Sequence, residues 1–111
     1  MAKKASIVPI LIIKEVHFNE IMDGRKLEEY RSLSEHYFRM FFDKNKIGEY
    51  EFRKPISKIM LAVGYSPKRK TAIVELKDIY ICQFINEIPE GFQKGDECFV
   101  LELGKVLEKN F

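Results

Sequence analysis

The sequence predicts a small α+β domain of five to six strands in a mostly antiparallel sheet able to close into a barrel, with two to three helices inserted early in the chain. Three observations carry that prediction. Apolar, β-branched runs recur at 7–14, 58–65, 71–84 and 98–108. Helical spacing is confined to short stretches before residue 43. After residue 58 the strands follow one another across turns, as hairpins do, rather than alternating with helices. That order disfavours a parallel, doubly wound sheet.

The first run, IVPILIIK at 7–14, reads as a buried strand closed by Lys14, with Pro9 at its start or on an edge. EVHFNEIMDG follows as a short helix whose Val16, Phe18, Ile21 and Met22 favour one side, and Gly24 stands where a left-handed C-terminal residue is wanted. KLEEYRSL alternates as a strand, with Leu27, Glu29 and Arg31 on one face and Glu28 and Tyr30 on the other. Ser32 and Glu35 form a capping-box pattern for a second helix carrying the aromatic stripe Tyr37, Phe38, Phe41 and Phe42, which reads as core. Residues 43–55 read as an irregular connection with one short strand, placed to cover a cleft. KIMLAVGY, the turn SPKRK and TAIVELKDIYICQF, the last read as the returning strand or a pair of strands, make an antiparallel hairpin. A polar loop then leads to CFVLELGKVLE, a last strand bent or bulged at Gly104.

A chain of 111 residues, 46% hydrophobic and 32% charged, is expected to fold as one domain over 1–111 with one site carrying its function. The net charge of +2 hides a split. Residues 1–70 hold fifteen Lys or Arg against nine Asp or Glu, and residues 71–111 hold four against eight. Such a split can set a basic face on a nearly neutral protein. Cys82 and Cys98 lack C-x-x-C or histidine spacing and read as reduced core thiols. His17 and His36 fall on different helices without a third ligand, so neither metal nor cofactor is expected. The N-terminal apolar run is broken by Pro9 and ended by Lys14, short of a membrane span, and no leader cleavage site follows it. No membrane partner is therefore expected, and a cytoplasmic location is. Phosphate-binding loops, dinucleotide fingerprints, nucleophile elbows and zinc-protease motifs are missing from the sequence.

What does stand out is DGRKLEEYR at 23–31, which fits G-x-K-x-x-E-x-R at Gly24, Lys26, Glu29 and Arg31. This stretch resembles the signature of the ASCH family, whose domains have a PUA-like β-barrel. The surroundings resemble it too: a first strand ending LIIK, a helix ending IMDG, and closing strands that finish FVLELGKVLE. The resemblance implies a cleft used to bind RNA or a nucleoside or nucleotide ligand, with the motif residues on its wall. The residue types suit that task. Arg31 offers a planar fork for phosphate or a base edge, Lys26 a compact charge, and Glu29 an acceptor for exocyclic amino groups. Gly24 would permit a tight turn close to the ligand. Lys14, Lys68, Arg69 and Lys70 would add phosphate contacts, and Tyr65 a stacking surface.

Simpler readings stand beside these. Glu29 and Arg31 share a strand face and can pair with each other, and SPKRK can be a solvated hairpin tip. Within the same family, small amidohydrolases remove the acetyl group of N4-acetylcytidine, and the resemblance would make Lys26 their base or nucleophile. That task calls for a lysine that yields its proton readily, through burial or neighbours such as Arg25 and Arg31. Those enzymes carry threonine where this chain has Glu29, a tentative catalytic partner whose charge favours the ammonium form of Lys26. Their acidic residue would correspond to Glu87 or Glu90. A protein-binding adaptor, suggested by the many Phe and Tyr, ranks last. Ligand identity and oligomeric state are not legible.

Overall fold

The computed structural model describes residues 8–111. Ile7, where the first apolar run opens, and the preceding residues, on which the leader question bears, lie outside the described residues. The element order is β1 (Ile10–Ile13), α1 (Glu15–Met22), β2 (Glu28–Ser32), α2 (Glu35–Phe41), β3 (Phe42–Lys44), β4 (Tyr50–Arg53), β5 (Lys58–Val63), β6 (Thr71–Gln83) and β7 (Glu97–Asn110). Among the described residues the fold is α+β with two helices and seven strands in two sheets. One sheet has the order β1-β5-β6-β7-β2 and the other is the β3-β4 pair. Among the described residues the five-stranded sheet has β1 and β2 at its ends, and no closed barrel is found. No helix among these residues is long and apolar enough to cross a membrane.

The chain gathers into two compact units, each discontinuous in sequence. The first holds the chain up to Leu27, Pro55–Lys77 and Leu103–Phe111. Here β1 runs parallel to β5, pairing Ile10 with Met60 and Ile13 with Val63. Pro9 lies just before the strand and needs no ladder donor of its own, while its carbonyl accepts the Met60 amide at 2.9 Å. The expected hairpin of β5 and β6 is antiparallel, with Leu61 opposite Ala72 and Lys58 opposite Glu75. Alternation along these strands buries Leu11, Ile13, Ile59, Leu61, Ala72, Val74 and Leu76. From α1 only Phe18 and Ile21 are buried, while Val16 is 58% exposed, so the buried face is narrower than the expected stripe. Phe111 meets the Phe18 ring edge-on at 5.4 Å.

Gly104 lies within β7. A Cβ there would lie 3.0 Å from the Glu75 Cβ and 2.6 Å from its Oε1. The Lys105 amide donates to the same Oε1 at 2.8 Å, so the glycine makes room for a side chain that takes a backbone donor.

The second unit holds Glu28–Lys54 and Asp78–Glu102. β2 pairs antiparallel with β7, setting Glu29 opposite Leu101 and Arg31 opposite Phe99. Ser32 belongs to this ladder opposite Cys98, so it cannot cap α2. The cap is Ser34, whose hydroxyl accepts the Tyr37 amide at 3.3 Å. Of the aromatic stripe, Phe41 is buried, and Phe38 meets Phe99 edge-on at 4.8 Å.

Residues 43–55 correct the sequence expectation by containing a hairpin, and this raises the strand count to seven. Asn45 is the reason. Its side-chain carbonyl accepts the Ile47 and Glu49 amides at 3.1 and 3.0 Å, and Gly48 takes a φ of +87°. A bulge between Asp43 and Lys44 breaks the period-2 pattern that would otherwise mark the strands.

Candidate functional site

The motif begins in a helix terminus. Gly24, at φ +76°, donates its amide to the Ile21 carbonyl at 3.1 Å, and Arg25 donates to the Glu20 carbonyl at 2.9 Å. These two bonds are the six-to-one and five-to-two pattern that ends a helix through a left-handed glycine. The Lys26 amide also reaches the Glu20 carbonyl, at 3.1 Å, so the chain folds back along α1. The Lys26 ammonium is thereby brought 3.3 Å from His17 Nδ1. His17 Nδ1 also lies 3.3 Å from Glu20 Oε1, one helical turn on. An ammonium, an imidazole and a carboxylate thus meet in the first unit, with the His17 and Glu20 side chains 25% and 35% exposed. Arg25 turns instead to Asp23 at 2.8 Å on the exposed surface.

The second half of the motif belongs to the second unit. Glu29 and Arg31 share a face of β2 as the alternation predicts, and Arg31 donates to Glu29 Oε2 at 2.7 Å. Their side chains are only 7% and 14% exposed. Arg31 also donates to the Tyr37 hydroxyl at 2.8 Å. Burial works against the guanidinium's charge, but the Glu29 carboxylate and the Tyr37 hydroxyl outweigh it and hold Arg31 above its ordinary value. A carboxylate and a guanidinium so far withdrawn from water contribute little net stability as a pair, yet each becomes expensive without the other.

The opposite face of β2 is also ordered. Glu28 accepts from Tyr30 at 2.9 Å and from Tyr80 at 3.2 Å. Desolvation, then Glu28, pushes Tyr80 up to about 12, and burial with Glu28 likewise raises Tyr30.

The remaining candidates lie in the first unit. At the β5–β6 turn the Arg69 guanidinium folds back onto the Gly64 carbonyl at 3.0 Å, and Lys70 pairs with Glu15 at 2.8 Å. Tyr65 is 82% exposed, and Lys14 and Lys68 are exposed as well. The structure therefore engages Arg69 and Lys70 in holding the turn and α1, and leaves Tyr65 with Lys68 at the tip.

Sequence reasoning missed two features. His17 read only as a histidine lacking the partners of a metal site, because nothing in its spacing foretells that a capped turn returns Lys26 to it. The second is a hollow of about 230 Å³ in the second unit, lined by Arg39, Lys44, Lys54, Phe42 and Tyr50 together with Glu35 and Asp43. There Lys44 sits 5.0 Å over the Tyr50 ring, Phe38 stacks on the same ring at 5.4 Å, and the Tyr50 hydroxyl donates to Glu35. The density of lysine and arginine between 44 and 54 was its only sequence signal. Glu87 and Glu90 lie in the exposed loop after β6. No group of three or more His, Cys, Asp or Glu among the described residues is placed to hold a metal ion.

No family model, curated protein or solved structure matches the chain.

Proposed function

We propose that this chain is an ASCH-like domain that binds RNA or a nucleotide-type ligand, with Lys26 and its imidazole and carboxylate neighbours at the ligand. On this reading the sheet strands correspond to those of a PUA-like barrel. The observation that carries the proposal is the capped turn after α1, which spends Gly24 and the Glu20 carbonyl on returning Lys26 to the His17–Glu20 face. Lys26 supplies a charge for phosphate, His17 a donor or acceptor according to its tautomer, and Glu20 an acceptor for an exocyclic amino group. Tyr65 and Lys68 offer the stacking surface and cation that single-stranded RNA recognition uses.

A second reading, N4-acetylcytidine hydrolysis, is favoured by the same contact. The Lys26 amine lies within reach of His17 Nδ1, and an imidazole can relay protons during an amine-catalysed hydrolysis. Glu29 in place of threonine weighs against it.

The two readings separate in one pair of assays. Binding predicts RNA affinity that falls with salt and is weakened several-fold or more by Lys26→Ala, without turnover. Hydrolysis predicts acetate release from N4-acetylcytidine that Lys26→Ala and His17→Ala abolish. If nucleosides and RNA neither bind nor react, both readings fail.

A further inference from the structure

Cys82 and Cys98 are both free thiols, one half-buried on β6 and one fully buried on β7. β6 and β7 are neighbours in the sheet. Where they meet the loop between them, the Phe84 amide donates to the Asp96 carbonyl at 3.0 Å and the Gly95 amide to the Phe84 carbonyl at 2.7 Å. With Gly95 at φ +90°, this is a glycine bulge in which Gly95 and Asp96 together oppose Phe84. Counting along the two strands from Phe84 and Asp96 sets Gln83 against Glu97 and Cys82 against Cys98. The side chains agree with that register. Cys82 packs into a cluster with Phe84, Cys98 and Val100, and Tyr80, two residues before it on the same face, reaches Glu28. Opposed residues at a hydrogen-bonded antiparallel position have Cα atoms about 5.5 Å apart. Disulfides span about 4.4 to 6.8 Å between Cα atoms. Cβ atoms at such a position, however, stand about 5.5 Å apart, where a relaxed disulfide needs about 3.5 to 4.5 Å. The bond must therefore draw the two strands together, and it is strained and readily reduced.

We propose that Cys82 and Cys98 are an oxidation site, forming a reversible intrachain disulfide when the protein meets hydrogen peroxide. Cys82, the more accessible thiol, reacts first. Its thiolate sulfur attacks one peroxide oxygen, the O–O bond breaks, and hydroxide leaves and takes the former thiol proton as water. The product is a sulfenic acid. The Cys98 sulfur then attacks the Cys82 sulfur, the S–S bond forms, the S–O bond breaks, and hydroxyl departs with the Cys98 proton as a second water. Two thiols are oxidised and one peroxide is reduced to two waters. Burial, with Cys82 and Asp96 nearby, pushes the Cys98 thiol up to about 11, so the second step should quicken as pH rises toward that value.

The loop closed by this bond carries Phe92, which meets Phe84 edge-on at 5.2 Å. Oxidation would staple that loop, and Cys98 lies opposite Ser32 at the end of β2, the strand that holds Glu29 and Arg31.

The test is to treat the full chain with hydrogen peroxide, count thiols under denaturing conditions and map the peptides without reduction. The expected result is loss of both thiols, a mass lower by two hydrogens, a Cys82–Cys98 linked peptide in the monomer, and full reversal by dithiothreitol. In Cys82→Ala the Cys98 thiol should survive the same treatment. Oxygen added to Cys82 with Cys98 still free, disulfide-linked dimers in place of the internal bond, or two unreacted thiols would each overturn the proposal.

Discussion

Replacing Arg31 by methionine keeps much of the side-chain volume but removes two bonds at once, to Glu29 at 2.7 Å and to the Tyr37 hydroxyl at 2.8 Å. Glu29 is 7% exposed, so its carboxylate cannot recover by hydration what it loses. Removing one partner of a pair buried to this degree costs about 3 to 5 kcal/mol. Replacing Glu29 by glutamine and Arg31 by methionine together removes both charges, and the double variant should recover part of that loss, leaving a coupling of at least about 1 kcal/mol. Urea denaturation followed by circular dichroism measures all four corners of the cycle. Arg25→Ala is the control, since its pair with Asp23 has side chains 64% and 58% exposed and is worth about 0 to 1 kcal/mol. Should Arg31→Met cost no more than Arg25→Ala, or should the double variant lose the full sum of the singles, the buried pair would not be the fixed element on which the account of β2 rests.

Two further outcomes are expected. Gly104→Ala should destabilise the protein by about 1 to 3 kcal/mol in the same denaturation assay, because its methyl group meets the Glu75 side chain that accepts the Lys105 amide. The Cys98 thiol, pushed up to about 11 from an ordinary value of 9.0, holds its proton more tightly folded than unfolded. Its stabilising contribution is therefore complete below about pH 9 and is lost as pH rises toward 11, a decline in denaturation midpoint that Cys98→Ala should lessen and whose remainder comes from the raised Tyr30 and Tyr80.

Much of the fold was legible because it is written in local patterns. The β5–β6 hairpin follows from two β-branched runs around SPKRK, the end of α1 from Gly24, and the shared face of Glu29 and Arg31 from strand alternation alone. The serine that caps α2 is Ser34 rather than the Ser32 of the capping-box pattern, because Ser32 is paired with Cys98 in the ladder, a long-range contact that local spacing does not announce. The β3–β4 hairpin was hidden by a bulge that breaks its alternation and by a turn whose signal is one asparagine side chain. The site divides in the same way. That Glu29 and Arg31 could pair was readable from their spacing, whereas the meeting of Lys26 with His17 depends on backbone bonds to Glu20 that no residue pattern announces. The facing of Cys82 and Cys98 likewise depends on a register set by the bulge at Gly95.

The most direct measurement is an amide-resolved NMR titration of the isotope-labelled chain with nucleosides and short single-stranded RNAs, repeated with Lys26→Ala. Saturable shifts centred on His17, Glu20 and Gly24–Lys26 that weaken in the variant are the predicted result. Saturable shifts confined to other surfaces, or none with any nucleoside or RNA, would contradict the claim that the turn after α1 presents Lys26 to a nucleotide-type ligand.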